Sequence, residues 1–149
     1  MIRLAKLTDY GIALGTHFAR HEQASLSARE LAESTHIPLP TVSKLLKVLS
    51  GRGLLQSQRG VRGGYTLSRP AQQITVADMV CALEGPVSIT ECTEDTTCSI
   101  EHSCSVKPHW QKINGAIRAA LDGLTLADMA QPELPISITR RGTLPIARA

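Results

Sequence analysis

The strongest constraint in this chain is a pair of helix signals followed by a glycine-rich hairpin, all within its first 70 residues. Ser27 and Glu30 have the S-x-x-E spacing in which each side chain caps a backbone N–H of the other residue, so a short helix is predicted over 28–34 with Leu31 and Ala32 inward. After a turn over 35–39, Pro40 stands near the first position of the next helix, where its missing N–H is no loss. That helix carries Val42, Leu45, Leu46 and Leu49 inward, shows Thr41, Ser43, Lys44 and Lys47 on its other face, and ends near Gly51 or Gly53. Segments 54–58 and 65–68 then flank Arg59-Gly60-Val61-Arg62-Gly63-Gly64, the pattern of two strands and a hairpin tip. Helix, turn, helix and hairpin in this order specify a winged helix.

Around this unit the apolar spacing predicts three more helices. The first spans 9–20, with Thr8 as N-cap and Tyr10, Ala13, Leu14, His17 and Phe18 as its apolar face. Pro70 closes the wing, and Thr75 caps a helix over 76–84 that stops at Gly85-Pro86 and carries Cys81 as a small buried hydrophobe. Residues 87–106 have no period and read as a loop. Beyond them, Trp110, Ile113, Ile117, Ala120, Leu121 and Leu124 mark one long amphipathic helix. In so small a chain that stripe most simply pairs with its copy in a homodimer, the alternative being that it folds back on its own domain. The expected fold is mainly α, a winged helix-turn-helix with a two-stranded wing and a long C-terminal dimerisation helix. Residues 1–70 form the DNA-binding unit, 71–130 the thiol loop and dimerisation helices, and 131–149 a disordered tail with three prolines. At 149 residues, 42% hydrophobic, the chain can bury one modest core. No apolar run is long enough to suggest a membrane span and the start has no secretory pattern, so a cytoplasmic protein with no membrane partner is expected.

Charge placement says what the winged helix would meet. Ten Lys/Arg stand against four Asp/Glu before Pro70, and six against nine from there on. From His36 to Arg69 there are six basic residues and no acid, a concentration suited to the phosphates of double-stranded DNA; the bland alternative is a solvated basic face. Thr41, Ser43 and Lys44, behind Pro40 in the first turns of the helix, are candidate readers of base edges in a major groove. Lys47 and Arg52 are candidate phosphate contacts, and Arg59 or Arg62 could reach a minor groove from the wing.

Cys92, Cys98 and Cys104 form C-x5-C-x5-C in an acidic segment, unlike the C-x2-C knuckles of most zinc sites. One loop with that spacing can wrap a larger inorganic group, and soft thiolates suit an iron-sulfur cluster with one iron left to another ligand. On spacing alone, a zinc site or a metal-free thiol switch remains open. Nothing points to an enzyme: there is no phosphate-cradling P-loop and no nucleophile elbow.

These stretches together carry a resemblance. Leu7-Thr8-Asp9-Tyr10-Gly11, Ile37 to Leu49, Arg59 to Tyr65, Leu83-Glu84-Gly85-Pro86 and the cysteine triplet are similar, in order, to the winged-helix iron-sulfur transcription regulators that include IscR and NsrR. The match covers about residues 1 to 130, and Pro38 to Lys47 with Arg118-Ala119-Ala120-Leu121 look most like the branch that regulates the SUF cluster-assembly operon. The resemblance implies a homodimer joined by the long helix, a 2Fe-2S or 4Fe-4S cluster that alters DNA affinity, and a minor-groove role for Arg59. Two departures limit it. Ser43 stands where IscR has a discriminating glutamate, and Lys107 stands where IscR has its histidine ligand. Asp9 matches the aspartate that NsrR-type proteins contribute from the partner subunit, and His109 is the other candidate fourth ligand, with His102 behind both. The function expected is a repressor that senses cluster status or oxidative stress and controls SUF-type assembly genes. Alternatives are a nitric oxide sensing repressor on the same scaffold and a zinc-stabilised or metal-free thiol module.

Overall fold

The computed structural model describes residues 3–60, 63–90 and 104–131. The elements run α1 (Lys6–Arg20), α2 (Ala28–Thr35), α3 (Leu39–Gly51), β1 (Leu55–Gln58), β2 (Gly64–Leu67), a 3-10 turn (Ala71–Gln73), α4 (Val76–Glu84), α5 (Lys107–Asp122) and α6 (Leu126–Ala130). All of the expected tail over 131–149 except Gln131, the tip residues 61–62 and the cysteine stretch 91–103 lie outside the described residues.

The capping box before α2 forms as the sequence requires: Ser27 N donates to Glu30 Oε2 at 2.7 Å, and Glu30 N to Ser27 Oγ at 3.3 Å. The Ser27 hydroxyl first, and then the Ser27 backbone N–H, stabilise the Glu30 carboxylate and hold its pKa below the ordinary value. A second box, between Thr75 and Asp78, starts α4. The wing is a two-stranded antiparallel sheet with Leu55 opposite Leu67 and Gln58 opposite Gly64. It gains a third strand-like partner in Leu26, which exchanges both backbone bonds with Tyr65 at 2.9 and 3.0 Å. Gly64 is needed for that approach, because a Cβ there would come within 2.8 Å of the Leu26 backbone.

The core joins Leu14 and Phe18 of α1, Leu31 of α2, Val42, Leu45, Leu46 and Leu49 of α3, Met79 of α4, and Leu126 of α6. Four sequence expectations differ from the structure. The first helix begins at Lys6 with Ala5 at its cap; Thr8 is a buried residue of the first turn and caps nothing. Its buried face is Thr8, Gly11, Leu14, Gly15 and Phe18, whereas Ala13 is exposed and Tyr10 and His17 are half-buried. The two glycines set this face: a Cβ on Gly11 would collide with Leu83 of α4, and one on Gly15 would lie 3.0 to 3.1 Å from Met79 and Leu126. Bare backbone here admits α4 and α6 closely, and a hydropathy pattern does not register it.

The third correction concerns the end of the long helix. It stops at Asp122, short of Leu124, and Thr125 starts a separate helix with its own capping box to Asp128. The chain turns back there, with Val76 N donating to Leu124 O at 2.8 Å and Leu126 N to Ile74 O at 2.9 Å. Cys81 is half-buried in the wall of a cleft beside Arg52 and Arg69, less enclosed than a buried hydrophobe would be.

Candidate nucleic-acid interface and thiol segment

The helix-turn-helix angle is fixed at His36, which ends α2 in the left-handed region at φ 58°. Pro38 and Pro40 then lead into α3, and the helix ends at Gly51 with Gly53 at φ 74° releasing the chain into the wing. Burying Val42, Leu45, Leu46 and Leu49 turns the rest of α3 outward. Pro40, Ser43, Lys44 and Lys47 are exposed, and Thr41 is half-buried beside them. Arg52 is exposed just past the helix, and Arg59 is exposed where β1 leads into the wing tip. Arg62 falls outside the described residues. Gly63 lets the hairpin close, since a Cβ there would come within 2.5 Å of Gln58 O.

Two features of this surface escape a reading of the sequence. Arg69 turns back to Asp78 at 2.8 Å and also donates Nε to Gln73 O at 2.9 Å, so it ties the wing to α4 instead of joining the outward cations. Leu39 is 41% exposed at the leading end of α3. An apolar residue at a groove-entering helix end can cover a thymine methyl. Leu39 precedes the helical period, so periodicity does not single it out.

Of the thiol segment, Cys92 and Cys98 lie outside the described residues, and Cys104 is a free, half-buried cysteine three residues ahead of α5. Asp9 is exposed in the first turn of α1, and His109 is exposed in the first turn of α5. Neither is enclosed, so both carboxylate and imidazole can be approached from outside their own chain. Among the described residues no three His, Cys, Asp or Glu side chains come together as a metal site.

Helix α5 buries no residue at all in the single chain. Ile113 is 44% exposed, and Trp110, Ile117 and Leu121 are half-buried on the same stripe. No described helix is long and apolar enough to cross a membrane.

Comparison with known proteins agrees with this architecture. A sequence model of the Rrf2 family, described as an iron-dependent transcriptional regulator, matches residues 4–132. The HTH-type transcriptional repressor NsrR of Streptomyces coelicolor is 30% identical over 138 residues, 91% of this chain and 93% of that one. The HTH-type transcriptional regulator CymR of Bacillus subtilis is 30% identical over 122 residues, 81% and 84% of the two chains. Among solved structures, that of CymR, the global cysteine regulator of B. subtilis, superposes with a TM-score of 0.70 at 28% identity, covering 87% of this chain and 97% of that one. IscR of T. potens superposes at 0.66 with 30% identity, over 86% and 85%. The chain therefore belongs to the Rrf2 family of IscR and NsrR, and is a winged-helix, DNA-binding transcriptional regulator and not an enzyme.

Proposed function

We propose that this protein is a cytoplasmic homodimeric repressor whose grip on promoter DNA depends on an iron-sulfur cluster held by Cys92, Cys98 and Cys104, and that it controls SUF-type cluster-assembly genes. The observation that carries this reading is the C-x5-C-x5-C triplet, whose last member leads directly into the uncovered helix α5. The donor set fits: three thiols suit iron, and Asp9 or His109 is open to supply a fourth ligand. A bound cluster would supply a centre whose ligation changes with oxidants or cluster supply.

The chain's own residues do the rest. The α5 stripe pairs with its copy and sets the spacing of two α3 helices. Pro40, Thr41, Ser43 and Lys44 meet base edges, while Lys47 and Arg52 hold phosphates and Arg59 and Arg62 reach the adjacent minor groove. Ordering the thiol segment against the base of α5 biases that spacing, and a differential binding energy of about 1 to 3 kcal/mol is enough for control.

The test compares protein purified without oxygen with its Cys98→Ala variant. The expected outcome is that the variant loses visible absorbance and acid-labile sulfide and changes its affinity for the operator. Equal affinity of the two forms would overturn the coupling. The likeness to CymR favours a second reading, in which the segment stays free of metal and answers to a thiol compound. Acid-labile sulfide absent from anaerobic wild-type protein would select it.

A further inference from the structure

His17 lies in the last turn of α1 and His21, four residues on, is the residue that ends the helix, with ring centroids 4.7 Å apart and planes tilted by 44°. Two imidazoles bonded to one zinc-class ion at about 2.1 Å bring their centroids to roughly 4.5 to 5.3 Å, for bond angles between a right angle and tetrahedral. The rings are thus already at chelating separation. Two histidines at i and i+4 on one helix face are also a recurrent metal-binding arrangement.

Ser34 of α2 engages one of the two ring nitrogens of His17. His17 Nε2 lies 3.3 Å from Ser34 Oγ, and Ser34 gives its hydroxyl proton to Leu31 O at 3.2 Å. A hydroxyl has one proton, so with Ser34 donating to Leu31 O it accepts from His17 Nε2–H, and in that tautomer the lone pair of the neutral ring sits on Nδ1. A metal-ligating histidine is commonly held in this way, with one nitrogen donating to a fixed acceptor and the other free to bind. The negative pole of α1 favours a cation at the same end. Arg20, the nearby cation, donates Nε to Ala130 O at 3.2 Å, and Glu22 accepts from Ala71 N at 2.9 Å.

We propose that His17 and His21 form a two-imidazole site for a divalent transition-metal ion of the zinc and nickel class, with Ser34 of α2 as the positioning residue. Among the described residues no third side chain joins them, so water completes the coordination and the site is weaker than a four-ligand structural one. An ion there fastens the last turn of α1, which Ser34 joins to the first helix of the helix-turn-helix. The inference is independent of the cluster reading.

The test is a zinc titration of the full-length, metal-free protein, followed through its imidazole resonances by NMR. In the wild type both rings should respond together and saturate. His21→Gln should abolish the response of His17 at the same zinc concentration, and Ser34→Ala should raise the zinc needed by about tenfold. Cys98→Ala should leave both rings responding as before, which separates this site from the thiol segment. Rings that stay unmoved up to millimolar zinc, a His17 response that survives His21→Gln unchanged, or one that vanishes in Cys98→Ala would each overturn the proposal.

Discussion

Thr8 is 1% exposed, and its Oγ1 has no hydrogen-bond partner among the described residues. A buried hydroxyl left unpaired is a standing cost, so Thr8→Val, which keeps the shape, should hold or raise stability by up to about 1 kcal/mol in urea unfolding. Had Thr8 capped the helix, as its sequence position suggests, the same change would lose about that much. His17 gives a second measurable signature. Burial first, then the charges of His21 and Arg20, hold its pKa below the ordinary 6.5. The folded chain therefore takes up this proton less readily than the unfolded one. Stability contributed by the neutral ring is present above the ordinary histidine range and is lost as pH falls through that range toward the folded pKa. With metal chelated, His17→Gln should flatten the fall in urea midpoint from about pH 7 to 5. Glu30 and Asp128, both lowered chiefly by a hydroxyl hydrogen bond, act at more acidic pH, losing their contribution as pH falls through their folded values. At this scale the sequence was legible where a residue type has one job, as in the Ser27–Glu30 box. It was opaque at Gly11 and Gly15, which matter through the space they leave.

Helix α6 shows why an element can be missed. At five residues it is too short for a period, and its stripe runs on from α5 in the one-dimensional pattern. The readable signal was the T-x-x-D of Thr125 and Asp128 just after Gly123, a cap that cuts one long helix into two. Leu126, fully buried where α6 packs on α1, is the anchor of the segment. Leu126→Ala should cost about 2 to 5 kcal/mol in equilibrium unfolding, more than an appended five-residue tail could cost. In α5, conversely, the stripe was legible because it is long and regular, and the single chain leaves it without a buried residue. Ile117→Lys should turn a dimer into a folded monomer, seen as a halved mass in light scattering with the helical circular dichroism retained. A variant that stays dimeric would move the interface elsewhere.

Across the molecule, charge and thiols occupy opposite halves of the chain: a basic winged helix and an acidic cysteine segment. If the outward cations neutralise phosphates, log affinity for DNA should fall linearly with log salt, and Arg59→Ala should make that slope shallower by about 1. An unchanged slope would take Arg59 off the DNA. The winged helix was legible because its turns demand particular residues in a particular order. The inward turn of Arg69 was not, since it depends on where Asp78 arrives in space. The bonds that clasp Ile74 and Val76 to Leu124 and Leu126 pin together both ends of the detour through α4, the cysteine segment and α5. Whatever the detour gains or loses in length, its two feet stay joined side by side where α4 and α6 pack on α1, so the stretch between them can vary while its anchorage holds.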